Sequence, residues 1–321
     1  MKKLFFFAAL AAAVSLTSCS DDDDIISSSS TTVSNLQTDA NAFTTGNGLA
    51  TRAGTYGEAI SSLSKFYATA ITTDNTTYFE NVPFSLDGSV FSSATPYYWP
   101  TSNKLSFAAT NVNATWGRSA VKENSPSISY TTVGKTDIVV ATSNEASKAE
   151  TIPLSFSHVT VSCGFACQVD PDAADCKYIV KDFRIKAANT GVLNVDMKSA
   201  ANSTWSSVSG SQTLTLAEDG WFPYTIAANS LSEFFPGEQF FILPGSQITV
   251  ELEYQIYKNG VLICDRTGEN YGDCTITVPA SKMGYAMVYD IYMTMDVDEP
   301  IQFTSKVLNW GSTSEVSGGW L

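Results

Sequence analysis

From Arg52 to the C terminus no stretch of this chain carries apolar residues at a sustained 3.6-residue period. What recurs instead are short apolar-polar alternations: Phe66 to Ile71, Lys104 to Ala108, Asp137 to Ala141, Tyr178 to Ile185, Gln212 to Leu216, Gln239 to Leu243, Ile248 to Tyr257 and Tyr285 to Met295. They favour Val, Ile, Thr, Tyr and Phe, and turns rich in Gly, Pro, Asn and Asp separate them roughly every ten residues. A strand sends alternate side chains to opposite faces, so each run has one face to bury and needs a second sheet to bury it against. The expected fold class is all-β, built from β-sandwiches.

At 321 residues and 44% apolar content the chain can bury one large core or two modest ones, and its length favours two. The polar, strand-poor segment from Ser143 to Glu150, followed by the long alternating run Ile152 to Val169, places a boundary near Glu150. The expected division is a domain over 53–150 and a second over 151–321. The halves show no repeat in their sequences. A net charge of -14 argues against nucleic acid, whose phosphates need Lys and Arg, and against an anionic lipid face.

The first residues are of another kind. Lys2 and Lys3 precede an apolar run from Phe5 to Leu16, too short to span a bilayer and right for a signal-peptide core. Leu16-Thr17-Ser18-Cys19 resembles the lipobox of bacterial lipoprotein precursors, which implies a signal peptide over 1–19 and an acylated Cys19 tethered to outer-membrane lipid. Ser20 and the run Asp21 to Asp24 resemble a surface-export tag of Gram-negative lipoproteins. Residues 20–52 are rich in Ser, Thr, Asp and Asn, with Val33, Leu36 and Phe43 too sparse to fold alone. This segment is a linker, or a strand waiting for a partner.

Candidate chemistry is thin. The single histidine, His158, lies in a strand-like run and no Gly-x-Ser-x-Gly nucleophile turn accompanies it. Glu251 and Glu253 share a strand face and could act as a carboxylate pair on a sugar, although exposed strand carboxylates are far commoner. Phosphate-cradling, zinc-protease and EF-hand motifs do not occur, so neither metal nor cofactor is expected. Cys167 and Cys176 flank Asp170-Pro171-Asp172, and Cys264 and Cys274 flank the loop Thr267 to Asp273. In an exported chain these read as two disulfides, each closing a loop of about ten residues worth roughly 2 to 3 kcal/mol, with Cys163 left as a buried apolar residue. Tyr97-Tyr98-Trp99-Pro100, Trp116, Trp205, Trp221 and Trp320 are either core packing or a stacking platform for sugar rings.

Taken in order, several features resemble the fimbrillin family, the subunits of type V pili: the lipobox at Cys19, the step Thr51-Arg52-Ala53, Tyr78-Phe79-Glu80-Asn81-Val82 and Tyr97-Tyr98-Trp99-Pro100 with Leu105-Ser106-Phe107-Ala108. Asp137-Ile138-Val139-Val140-Ala141, Leu154-Ser155-Phe156-Ser157-His158 and Val307-Leu308-Asn309-Trp310 continue the series. The resemblance implies two tandem transthyretin-like (Greek-key) β-sandwich domains and a lipidated precursor on the outer membrane and cell surface of a Gram-negative bacterium. It also implies cleavage between Arg52 and Ala53 by a trypsin-like protease, and a groove in the first domain that a C-terminal strand of the next subunit fills. The partners would be other fimbrial subunits, with no enzymatic activity. Ile301, Phe303, Val307 and Trp310 are the expected donor side chains. Two alternatives stay open: residues 301–310 are the last strand of their own domain, or the tail Gly311 to Leu321 is the donor. The rival reading is a surface lipoprotein that binds glycans through exposed aromatics.

Overall fold

The structure, a computed structural model, describes residues 36–38, 63–87, 90–100, 103–121, 125–131, 136–146, 152–169, 175–215, 222–226, 231–234, 240–293 and 302–309. Among these residues there is no α-helix, and the fold is an all-β sandwich fold.

The first sheet has eight strands. In spatial order they are β10 (Phe156–His158), β8 (Val139–Ala146), β5 (Leu105–Thr110), β2 (Lys65–Thr72), β3 (Thr77–Asp87), β4 (Val90–Ser93), β1 (Leu36–Thr38) and β9 (Ile152–Leu154). The strands at the two ends, β9 and β10, are separated in the chain by Ser155 alone. The sheet therefore curls until its edges meet, and its concave face encloses a core of Phe66, Phe84, Phe91, Phe107, Leu154 and Phe156. The Phe66 ring lies 5.5 Å from Phe84, 4.8 Å from Phe91 and 5.5 Å from Phe156. Contacts of this kind add about 0.5 to 1.5 kcal/mol each beyond area burial.

Period-two alternation in these strands feeds two cores at once. Leu105, Phe107 and Ala109 of β5 and Val139 and Ala141 of β8 face the concave side. Ala108, Ile138 and Val140 face the other way, onto a second sheet. That sheet has the order β14 (Thr204–Ser209), β13 (Thr190–Asn194), β7 (Pro126–Tyr130) and β6 (Thr115–Arg118), and it contributes Trp116, Ile128, Tyr130 and Leu193.

This arrangement departs from a division at residue 150. β13 and β14 come from the later half of the chain, yet β13 pairs antiparallel with β7, Gly191 opposite Tyr130 and Leu193 opposite Ile128. β7 has an open edge beside a half-built core, and a hairpin from 190–209 completes both. Gly191 suits this close approach, since a Cβ there would stand 3.0 Å from the Trp205 ring and the indole would have to shift.

The second sandwich packs two further sheets around a separate core. One runs β17 (Leu231–Phe234), β11 (Val161–Val169), β22 (Tyr285–Met293) and β23 (Gln302–Asn309), with β18 (Phe240–Ile242) also on β11. The other is built on the long antiparallel pair β12 (Cys176–Ala187) and β19 (Gln247–Lys258). β15 (Gln212–Thr215) and β16 (Tyr224–Ile226) line the free edge of β12, while β20 (Val261–Arg266) and β21 (Gly272–Thr277) line that of β19. A bulge between Val180 and Asp182 resets the alternation of β12: Tyr178 and Val180 point inward before it, Phe183 and Ile185 after it. The β19–β20 hairpin turns at Asn259 and Gly260, with φ of 51° and 80°, the left-handed pair that an Asn-Gly turn provides.

Both expected disulfides are corrected by this topology. Cys163, Cys176, Cys264 and Cys274 are thiols. Cys264 sits opposite Ile256 and Cys274 opposite Val250, because β20 and β21 follow one another along the same edge of β19 instead of pairing with each other. Six residues of strand separate the two positions by roughly 20 Å, and a disulfide needs Cα atoms within about 7 Å. The expected Cys167 to Cys176 bridge is not formed either, because Cys176 is a thiol.

Candidate functional site

The most consequential placement is that of β1. Three residues from the Ser/Thr-rich segment, Leu36–Thr38, lie within the first sheet between β4 and β9. Leu36 is opposite Phe91 of β4 in an antiparallel pairing. On its other side β1 runs parallel to β9, with Leu36 opposite Ile152, Gln37 opposite Pro153 and Thr38 opposite Leu154. β1 is thus the inserted element that joins the β3–β4 hairpin to β9, and hence to the closing edge of the curl.

Behind this position the core is fully formed. Phe91 is 2% exposed, Ile152 2% and Leu154 0%. With β1 absent, β4 and β9 would each present an unpaired row of backbone N–H and C=O groups, and the phenylalanine cluster would open along the gap. Such a gap is a template for any strand of suitable pattern.

β23 is the second placement of interest. It ends its sheet and pairs antiparallel with β22 from Gln302 opposite Tyr292 to Asn309 opposite Tyr285. Phe303 is opposite Ile291 and Val307 opposite Met287. In this chain, then, the expected donor segment is the edge strand of its own sandwich, one of the alternatives left open above. Cys19, Arg52, Ala53, Ile301, Trp310 and the tail from Gly311 lie outside the described residues.

The residues with conceivable catalytic chemistry have structural partners. His158 Nδ1 is 2.7 Å from Asp137 Oδ2, and Thr160 Oγ1 donates to Asp137 Oδ1 at 3.1 Å. Both carboxylate oxygens are thereby engaged with the segment that leads out of the first sandwich. Glu251, only 3% exposed, accepts from Lys186 Nζ, and Glu253 Oε1 accepts from Arg184 Nη2 at 2.5 Å. The hydrogen bond to Glu251 holds the Lys186 ammonium above the ordinary lysine range. Glu251 and Glu253 are thus each paired with a cation of the neighbouring strand β12. No group of three His, Cys, Asp or Glu side chains among the described residues is arranged to hold a metal ion.

The aromatics are mostly packing. Trp99 meets Phe107 edge-on at 6.1 Å and Tyr97 lies 4.7 Å from Phe79. Trp116 is 7% exposed, and Trp205 Nε1 donates to the Val159 carbonyl at 2.6 Å. Tyr98 is exposed at 48%, but a single exposed ring is no stacking platform. Trp221 and Trp320 lie outside the described residues.

The composition of residues 20–52 allows a strand waiting for a partner but does not reveal which sheet it enters. The local signal is the sparse apolar set Val33, Leu36 and Phe43, of which Leu36 falls in β1.

No protein-family model and no curated protein matches the chain. Among solved structures it is similar to a fimbrial protein from Bacteroides vulgatus, with 14% identity and a TM-score of 0.53 over 78% of this chain and 94% of that one. It is also similar to a protein named for cell adhesion from Parabacteroides distasonis, with 8% identity and a TM-score of 0.50 over 88% of this chain and 97% of that one. At these identities the likeness is one of fold.

Proposed function

We propose that this chain is a structural subunit of a bacterial surface fimbria. It is exported as a lipoprotein through Cys19, cut between Arg52 and Ala53 by a trypsin-like protease, and assembled head to tail by strand exchange in support of adhesion. It carries no catalytic function in this reading. One observation supports it above the others: Leu36–Thr38 fills a position inside the first sheet, between β4 and β9, although it belongs to the segment that a cut at Arg52 removes. A single proteolytic event would therefore open a strand-wide gap over a phenylalanine core. The fold shared with a fimbrial protein agrees with this reading.

The energetics favour refilling. A donor carrying four large apolar side chains, each worth about 1.5 to 3 kcal/mol when buried, offers up to roughly 10 kcal/mol before ordering costs. Ile301, Phe303, Val307 and Trp310 are the donor set under this reading, and β23 must then leave β22 to reach a neighbouring copy. Donation from the C terminus of one copy into the first sandwich of the next is a heterologous contact that does not close, so it extends into a filament.

The test uses the chain from Ser20 onward, treated with trypsin under native conditions and followed by N-terminal sequencing and size. Material that starts at Ala53 should shift to high molecular weight, while an Arg52→Ala variant and a chain ending at Pro300 should not. Chains that start at Ala53 and remain monomeric, with no binding of a peptide spanning residues 301–321, would overturn the proposal.

A further inference from the structure

The chain leaves the first sandwich through residues 158–160, between β10 and β11, and these residues are held from three sides. From the first sandwich, Asp137 reaches both His158 Nδ1, at 2.7 Å, and Thr160 Oγ1, at 3.1 Å. The imidazole must carry its proton on Nδ1 to donate to a carboxylate, so this contact selects one orientation of the ring. Asp137 is itself fixed, because Asn111 Nδ2 donates to its carbonyl at 2.7 Å while Asn111 Oδ1 accepts the Val139 N–H at 3.0 Å. From the second sheet, Trp205 Nε1 donates to the Val159 carbonyl at 2.6 Å. From the second sandwich, the Gly284 N–H donates to the Thr160 carbonyl at 2.9 Å. Gly284 has φ of 76°, and a Cβ there would stand 3.0 Å from the His158 carbonyl oxygen, so the start of β22 is seated against the crossing backbone itself.

The crossing is not a hinge in a linker. Val159 and Thr160 are 0% exposed. Leu243 and Met283, from the later half of the chain, pack in the same core as Ile128 and Leu193. The β13–β14 hairpin adds two more passages between the sandwiches, from Ala187 to Thr190 and from Ser209 to Gln212.

We propose that Asp137 is the positioning residue of a locked joint: by holding His158 and Thr160 at once it keeps the crossing segment in one conformation, so that the two sandwiches move as one body. The proposal is independent of whether the chain polymerises. Asp137 engages the crossing segment through two side-chain bonds, and Gly284 then registers the second sandwich on that fixed backbone.

Hydrogen exchange of the chain from Ser20 onward, read by mass spectrometry, tests this. In Asp137→Ala the amides of Val159 and Gly284 should exchange roughly tenfold faster, as expected for losing buried hydrogen bonds at a local opening, while peptides from β19 keep wild-type protection. Small-angle scattering of the same variant should show a distance distribution extended at its long end. Thr160→Val, which removes one of the two bonds and conserves shape, should raise the same two amides by a smaller factor and serves if Asp137→Ala does not fold. Unchanged exchange at Val159 and Gly284 in the variants, loss of protection spread equally into β19, or an unchanged scattering curve would each overturn the proposal.

Discussion

Asn81 accepts the indole N–H of Trp116 at 3.1 Å from a backbone in the left-handed region, φ 51°. It stands where the register between β2 and β3 shifts, with its own N–H donated to Thr69 Oγ1 at 3.1 Å and its side-chain amide to Asn113 Oδ1 at 2.8 Å. Asparagine suits both demands, since it tolerates left-handed geometry better than other non-glycine residues and offers an acceptor and a donor on one short side chain.

Asn81→Ala is therefore expected to cost about 2 to 4 kcal/mol, from an indole donor left without its partner and from alanine held in left-handed geometry. Asn81→Gly should recover about 1 kcal/mol of that, because it relieves the backbone and not the hydrogen bond. Urea unfolding of the three proteins separates the contributions. A midpoint for Asn81→Ala equal to that of the parent would refute the account.

Phe91 tests the gap beside β1. In the chain from Ser20, Phe91→Ala should cost about 3 to 5 kcal/mol, the range for truncating a buried phenylalanine. In a chain that starts at Ala53 the same substitution should cost clearly less, because its surroundings are already open to water. Equal costs in the two backgrounds would show that β1 does not cover this core.

The Lys186 and Glu251 pair makes stability depend on alkaline pH. Its hydrogen bond with Glu251 raises the Lys186 pKa from the ordinary 10.5. A raised lysine contributes in full below its ordinary pKa, and that contribution is lost as pH rises through the raised value. Denaturation midpoints of the parent and of Lys186→Met should thus differ at pH 8 and converge above the ordinary lysine range, about pH 10.5. A difference that grows with pH in that range would contradict the pairing.

Thiol chemistry reads the topology of β20 and β21. Cys274 is the partly exposed thiol of the four, and Cys163, Cys176 and Cys264 are buried. Burial pushes the Cys163 thiol far above its ordinary range, so it should resist alkylation until the chain unfolds. An alkylating reagent applied to the native chain should label Cys274 before Cys163, Cys176 and Cys264. Peptide mapping without reduction that returned a Cys264–Cys274 bridge would require β20 and β21 to pair with each other.

Much of the fold was legible beforehand. The runs at Phe66, Lys104, Tyr178, Ile248 and Tyr285 all become strands, because two-residue periodicity reports which side chains share a face and that is a local property. Partner choice is not local. β12 shows a phase slip in its own letters, with Tyr178 and Val180 before it and Phe183 and Ile185 after, but nothing in β7 announces that its neighbour is Gly191 to Asn194. The spacing of Cys264 and Cys274 has the same limit. Spacing across a turn suggested facing hairpin arms, whereas β20 and β21 share the edge of β19.

The candidate site divides in the same way. The expected roles of Cys19 and Arg52 and the apolar character of the C-terminal run are readings of the order of the amino acids alone, since a signal core, a lipobox and a cleavage step would each act through contiguous residues. That Leu36–Thr38 lies between β4 and β9, that 302–309 is an edge strand on β22, and that Asp137 meets His158 and Thr160 were decided by the tertiary structure alone. A backbone hydrogen bond is blind to sequence. Which strand occupies a given edge is settled by the cores on either side of it, and those cores exist only once distant parts of the chain have come together.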